Sequence, residues 1–141
     1  MRSQTILGAA NVGMKFGGFR ALNNVTVDIT RDQLTAIIGP NGAGKSTLFN
    51  ILSGAFAPTE GRVLFDGRDV TGMRQHHFAR MGIAKSFQIT NVFPRLSALE
   101  NVRIAAQAMT VRYDIWTPRR RRAEFVTKAA DLLDLVGLSR H

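Results

Sequence analysis

Eight consecutive residues, Gly39-Pro40-Asn41-Gly42-Ala43-Gly44-Lys45-Ser46, limit what this chain can fold into more than anything else in it. They satisfy the pattern G-x-x-x-x-G-K-[ST] at every fixed position. Glycines at 39, 42 and 44 let the backbone turn so that successive N–H groups point into one concavity, where an anionic polyphosphate finds donors. Lys45 is placed to reach the β and γ phosphates of a nucleotide, and the Ser46 hydroxyl to ligate Mg²⁺. The flanks agree. Leu34-Thr35-Ala36-Ile37-Ile38 reads as a short buried strand entering the loop. Beyond it, Leu48, Ile51 and Leu52 recur at helical spacing and Gly54 supplies a stop. The start of that helix faces the phosphates and adds its dipole to the site. The rival glycine pattern G-x-G-x-x-G fails, because Thr47 stands where the third glycine is needed. Strand, loop and helix in this order predict an α/β nucleotide-binding core.

At 141 residues the chain is one ordinary domain by length, and 45% hydrophobic residues suit a globular core. No stretch is long enough to cross a membrane. The patch Ile6-Leu7-Gly8-Ala9-Ala10 is too short and too soon interrupted by Asn11 to serve as a leader core, so a cytosolic location is expected. The absence of cysteine excludes disulfides and thiolate metal sites. His76, His77 and His141 have no metal-ligand spacing with nearby acids and read as exposed helix or terminus residues. A net charge of +9 raises the question of nucleic acid. Part of the excess is local, in Arg112 and the run Arg119-Arg120-Arg121-Arg122, with only Tyr113 and Trp116 nearby for base stacking. A solvated basic surface is the preferred reading.

Organisation comes from the alternation of segment types. Residues 6–14 and 25–29 read as strands, the second alternating Val25, Val27 and Ile29 against Thr26, Asp28 and Thr30, and together they make a hairpin-like entry. Residues 61–65 form another strand, closed by an Asp66-Gly67 turn. A helix follows over about 73–81, and residues 82–88 return to extended structure. Ser97 and Glu100 form a capping box for a helix with Leu99, Val102, Ala106 and Met109 on one face. A second long helix, about 120–136, carries Phe125, Ala129, Leu132, Leu133 and Val136 on one stripe and ends at Gly137.

Three features taken together carry a resemblance: Lys15-Phe16-Gly17-Gly18 before the loop, the loop extended through Thr47, and Ser86-Phe87-Gln88 after it. The chain resembles the ATP-binding subunits of ABC transporters. Ala79-Arg80-Met81-Gly82-Ile83 leading to Phe87-Gln88, then Leu99-Glu100-Asn101-Val102, is similar to the subunit of branched-chain amino acid importers and their relatives for urea or short amides. The resemblance implies an α/β P-loop NTPase core of ABC ATPase type, with an antiparallel β-subdomain and the start of a helical subdomain. Residues 1–88 are then the N-terminal part of the nucleotide-binding core, and 89–141 a partial helical subdomain. The implied ligands are ATP and Mg²⁺. Gly39, Pro40, Asn41, Gly42, Ala43, Gly44, Lys45, Ser46 and Thr47 hold the phosphates, and Phe16 stacks on adenine through its dispersion-rich face. Gln88 meets Mg²⁺ together with Ser46, its neutral amide reporting the γ-phosphate without adding charge.

The family's later elements, an L-S-G-G-Q-like signature, an apolar strand ending in Asp with a catalytic Glu, and a switch histidine, do not occur in this sequence. Val63-Leu64-Phe65-Asp66 imitates the acidic strand, but Gly67 follows where Glu is required. The catalytic Glu and the switch histidine are therefore expected beyond His141, the domain is expected to be incomplete, and the chain is expected to bind Mg-ATP without hydrolysing it efficiently. The implied partners are transmembrane permease subunits, a second ABC ATPase subunit and, indirectly, a binding protein, with the chain peripheral on the inner face of the membrane. The alternative is a basic nucleic-acid-associated or soluble ABC-type ATPase fragment outside transport. It ranks lower for want of a stacking platform.

Overall fold

The computed structural model describes residues 5–86, 92–110 and 119–138. They fall into two compact units, divided between Lys85 and Ser86.

The first unit is a four-stranded antiparallel sheet with two helices. Strands β1 (Thr5–Phe16), β2 (Phe19–Thr30), β3 (Glu60–Phe65) and β4 (Arg68–Asp69) lie in the order β2-β1-β3-β4. Helix α1 (Lys45–Leu52) follows the glycine loop, and α2 (Gln75–Arg80) follows the sheet. The hairpin expected at the N-terminus forms, with Phe16 opposite Phe19 across the Gly17-Gly18 turn. Its strands are longer than the alternation alone indicates, because four register shifts interrupt their period, two of them near the middle. Between the pairs Ala9–Val27 and Val12–Val25, two β1 residues face one on β2. Between Val12–Val25 and Met14–Leu22, two β2 residues face one on β1. Asn11 and Asn24 take positive φ at these points, the Asn11 amide donates to Asn24 Oδ1 at 2.8 Å, and its backbone N–H donates to Thr26 Oγ1 at 3.0 Å. The bulge lets Ala9 and Val12, three apart in sequence, both face inward.

The Asp66-Gly67 turn is as expected. Both residues have positive φ, the two-residue hairpin geometry that matches strand twist, and it joins β3 to β4. The α1 stripe of Leu48, Ile51 and Leu52 is buried with Ala9, Val12, Met14, Leu22, Val63, Val70 and Phe78 in one core. Helix α1 ends as its sequence indicates. The Gly54 N–H donates to the Ile51 carbonyl at 3.0 Å and the Ala55 N–H to the Asn50 carbonyl at 2.8 Å, with Gly54 at φ +72°.

Three expectations are corrected here. Residues 34–38, read as a buried strand, have no strand partner among the described residues. Leu34 is 100% and Ile38 91% exposed, and only Ile37 packs on the core. A strand exists through its ladder, and apolar composition cannot supply one. Residues 83–86 are likewise without regular structure for the same reason. His76 and His77 are half-buried rather than exposed, with ring centroids 4.1 Å apart on α2. Phe87, Gln88, Arg112, Tyr113, Trp116 and His141 lie outside the described residues, as do the side chains of Met109 and the run Arg119 to Arg122.

In the second unit, α3 (Ala98–Thr110) and α4 (Arg119–Leu135) pack on each other. Ser97 caps α3, its Oγ accepting from the Glu100 N–H at 3.2 Å, while Arg103 grips the Glu100 carboxylate at 2.8 Å. The α4 stripe is narrower than expected. Phe125, Ala129 and Leu133 are buried at strict i, i+4 spacing, whereas Leu132 and Val136 are exposed, Val136 lying beyond the end of α4. Gly137 ends α4 with the same paired bonds as Gly54, to Asp134 and, through Leu138, to Leu133.

A Cβ on Gly54 would meet the Phe78 ring at 2.5 Å in a left-handed backbone conformation. Gly54→Ala is expected to lower unfolding free energy in urea by about 2 kcal/mol or more. Gly18→Ala, with open space at its Cβ, is expected to leave it within about 0.5 kcal/mol.

Candidate functional site

The glycine loop is shaped by short-range bonds. The Ala43 N–H donates to the Pro40 carbonyl at 3.3 Å, closing a turn whose third residue, Gly42, has φ +84°. Gly44, at φ +81°, is the N-cap of α1 and brings no side-chain cap to it. A Cβ there would meet the Ala21 carbonyl and the Leu22 side chain at 2.7 Å, so only glycine lets the loop seat against β2 this closely. The first-turn N–H groups of Lys45, Ser46 and Thr47 have no acceptor within their helix. Their positive end opens onto the loop.

Lys45 folds back over this concavity. Its Nζ donates to the Gly39 carbonyl at 2.8 Å and the Pro40 carbonyl at 2.6 Å. A hollow of about 380 Å³ lies beside it, lined by Phe19, Ala21, Asn41, Gly42, Ala43, Gly44, Lys45, Ser46 and Thr47. The structure thus gathers seven of the expected residues, 41 to 47, around one space, and Gly39 and Pro40 contribute carbonyls to the lysine. Phe16 is not among the lining residues. It sits at the end of β1, 44% exposed, with its ring edge-to-face to Phe56 at 5.8 Å. The aromatic that does line the hollow is Phe19, which motif spacing missed. Its signal was the Gly17-Gly18 turn, since a two-residue hairpin puts Phe19 opposite Phe16.

The Ser46 hydroxyl is exposed at the hollow, and a neutral oxygen at that place fits a hard cation such as Mg²⁺. No cluster of three or more His, Cys, Asp or Glu among the described residues could hold a metal by itself. No helix among them is long and apolar enough to cross a membrane.

Residues 22–140 match the sequence profile of the family described as ABC transporter. This chain belongs to the ABC transporter family. It is 35% identical over 146 aligned residues to the high-affinity branched-chain amino acid transport ATP-binding protein LivG of Escherichia coli, covering 99% of this chain and 57% of that protein. It is 40% identical over 103 residues to the corresponding protein BraF of Pseudomonas aeruginosa, covering 73% of this chain and 40% of BraF. The chain therefore spans about half the length of the curated relatives it matches. Among solved structures, an ATP-binding cassette of an ABC transporter in its ADP conformation aligns with a TM-score of 0.80 at 34% identity, over 96% of this chain and 55% of that one. A nucleotide-free cassette aligns with a TM-score of 0.78 at the same identity and coverage. These likenesses agree with the ABC-type α/β fold expected from the sequence.

In this ABC-family chain the hairpin carrying Phe16 and Phe19 is pinned by charge. Arg20 grips both Glu60 carboxylate oxygens at 3.1 Å, and Lys15 reaches the same group at 2.8 Å. The hydrogen bond from Lys15, followed by that from Arg20, holds the Glu60 carboxyl below its ordinary value of 4.5. Because the folded-state pKa is the lower one, the clamp's contribution is fully present above the ordinary value and lost as pH falls through the folded value. The difference in thermal midpoint between the native chain and Glu60→Gln is therefore expected to be constant at neutral pH and to shrink below about pH 4.5. High salt is expected to reduce it, since the pair is exposed.

Proposed function

We propose that this chain forms the ATP-holding part of an ABC importer ATPase subunit, and that the importer takes up branched-chain amino acids. The observation that carries the reading is the convergence of the Lys45 ammonium, the first-turn N–H groups of α1 and the Ser46 hydroxyl on one hollow walled by Phe19. A triphosphate entering it exchanges the two loop carbonyls on Lys45 for phosphate oxygens, a stronger charge-assisted pairing. The backbone donors of Gly42, Gly44, Lys45 and Ser46 face the same concavity, while the Ala43 N–H leaves the Pro40 carbonyl to join them. Ser46, with Gln88, holds Mg²⁺, which supplies neutralisation of phosphate charge when bound. Phe16 offers a partly exposed ring for adenine, and Phe19 an apolar wall nearer the phosphates.

The likeness to LivG and BraF supports the substrate class, their printed function being branched-chain amino acid transport. Residues 1–88 then belong to the nucleotide-binding core and 89–141 to the helical part. The partners are permease subunits, a second ATPase subunit that completes the loop across a dimer and, indirectly, a substrate-binding protein. The place of work is the cytoplasmic face of the membrane. The described residues lining the hollow include no carboxylate and no imidazole. With no base among these residues to orient water, the reading is of a chain that binds without efficient turnover.

Isothermal titration of the 141-residue chain is expected to show Mg-ATP binding that Lys45→Ala weakens about tenfold or more. Phosphate release by the same highly purified chain is expected to stay at background, and Lys45-dependent turnover would overturn the binding-only reading. In a subunit of the relatives' length, reconstituted with its permeases, Lys45→Ala is expected to abolish ATP-driven leucine uptake. Unchanged uptake would count against the transport assignment.

A further inference from the structure

One aromatic outside every motif touches the proposed site. Phe56 lies in the connection from α1 to β3, 40% exposed, and its ring meets that of Phe16 edge-to-face, with centroids 5.8 Å apart and planes at 75°. The connection is tied down on both sides of it. Toward α1, the Asn50 carbonyl accepts from the N–H groups of Ala55 at 2.8 Å and Phe56 at 3.2 Å, and from the Ser53 hydroxyl at 3.2 Å. Toward β3, the Thr59 N–H and hydroxyl both donate to the Gly13 carbonyl on β1, at 3.0 and 3.1 Å. Phe56 is thus held between the helix that carries Lys45 and the strand that ends in Phe16. Phe16 is followed by Gly17 and Gly18, and a Cβ on either would meet nothing within 4 Å.

We propose that Phe56 is a positioning residue for base recognition: its ring fixes the plane of Phe16 so that the open face of Phe16 is presented to adenine. The inference rests on the reading of Phe16 as the base-stacking residue. A half-exposed ring followed by two residues without side chains has orientations to choose among, and stacking costs the entropy of choosing one. An edge-to-face neighbour makes that choice in advance, which is preorganisation at the apolar end of the ligand. Because Phe56 hangs from the Asn50 carbonyl, the base platform is set relative to the phosphate-binding helix and not only relative to β1. The spacing between base and phosphate subsites is thereby fixed by the α1 C-terminal turn.

The test compares two probes on the 141-residue chain by titration calorimetry, Mg-ATP and magnesium tripolyphosphate, which has the phosphates without the base. Phe56→Ala and the volume-conserving Phe56→Leu are each expected to weaken Mg-ATP about three- to tenfold and leave tripolyphosphate unchanged. Phe56→Tyr, which keeps the ring, is expected to restore native ATP affinity. In the double variant with Phe16→Ala, the Phe56 substitution is expected to add nothing. Unchanged tripolyphosphate binding reports that the loop is still folded. Equal losses for both probes, or full additivity with Phe16→Ala, would overturn the proposal in favour of a general packing role. A Phe16→Ala variant that loses ATP selectively while Phe56→Ala and Phe56→Leu stay silent overturns the positioning role alone. A Phe16→Ala variant with no selective loss removes the stacking reading and this inference with it.

Discussion

The close approach of Gly44 to β2 is the constraint on which the rest of the first unit depends. The loop can deliver its donors to one point only if α1 begins at a fixed distance from the sheet, and a Cβ at Gly44 would collide with the Ala21 carbonyl and Leu22. Once Gly44 is seated, the stripe of Leu48, Ile51 and Leu52 faces Val12, Met14, Leu22 and Val63, and burial locks the helix there. Each of these side chains contributes on the order of 1.5–3 kcal/mol from the apolar area it removes from water. The helix whose first turn faces the glycine loop and the helix whose stripe packs the core are therefore one element, α1. Loosening the core should displace the site, and charge repulsion within the site is resisted by the core.

What could be read from the sequence divides along the same physical line. Features set by a residue and its near neighbours were legible: the left-handed glycines that end α1 and α4, the Asp66-Gly67 hairpin turn, the Ser97 cap and the glycine loop itself. Each needs only local backbone geometry and a bond within a few positions. Features that depend on a distant partner were not. Residues 34–38 have the composition of a strand, yet composition cannot report whether another strand lies alongside, and Leu34 and Ile38 are exposed. The α4 stripe was overdrawn for a related reason, since α3 covers only the line of Phe125, Ala129 and Leu133. Phe56 carried no signal, because its partner is forty positions away in the chain.

The excess of positive charge also looks different once partners are placed. Glu60 is shared by Lys15 and Arg20, Asp66 faces Arg31, Asp69 faces Arg62, and Glu100 is taken by Arg103. These pairs are mostly exposed, and their worth is in fixing turns rather than in bulk stability. The Glu60 clamp is the clearest case, since it gathers two cations that flank the Phe16–Phe19 turn and so holds the aromatic hairpin next to the loop. The net charge of +9 favours approach of a polyanion through long-range attraction.

The site thus has two halves with different origins. The charged half is assembled from consecutive residues, among them the first-turn N–H groups of α1, which have no acceptor within their helix. The aromatic half is assembled from three segments, the end of β1, the start of β2 and the connection after α1, and has no shape until the sheet and α1 are joined. Affinity for phosphate and preference for a base should therefore respond to different perturbations. On the proposed reading, a substitution in the loop is expected to remove both, because the base has nothing to follow into the site. On the proposed reading, a substitution at Phe16 or Phe56 is expected to remove selectivity and leave the phosphate subsite standing. That separation is a consequence of where the chain places its glycines: Gly39, Gly42 and Gly44 shape the one half, and Gly17, Gly18 and Gly54 turn the backbone that builds the other.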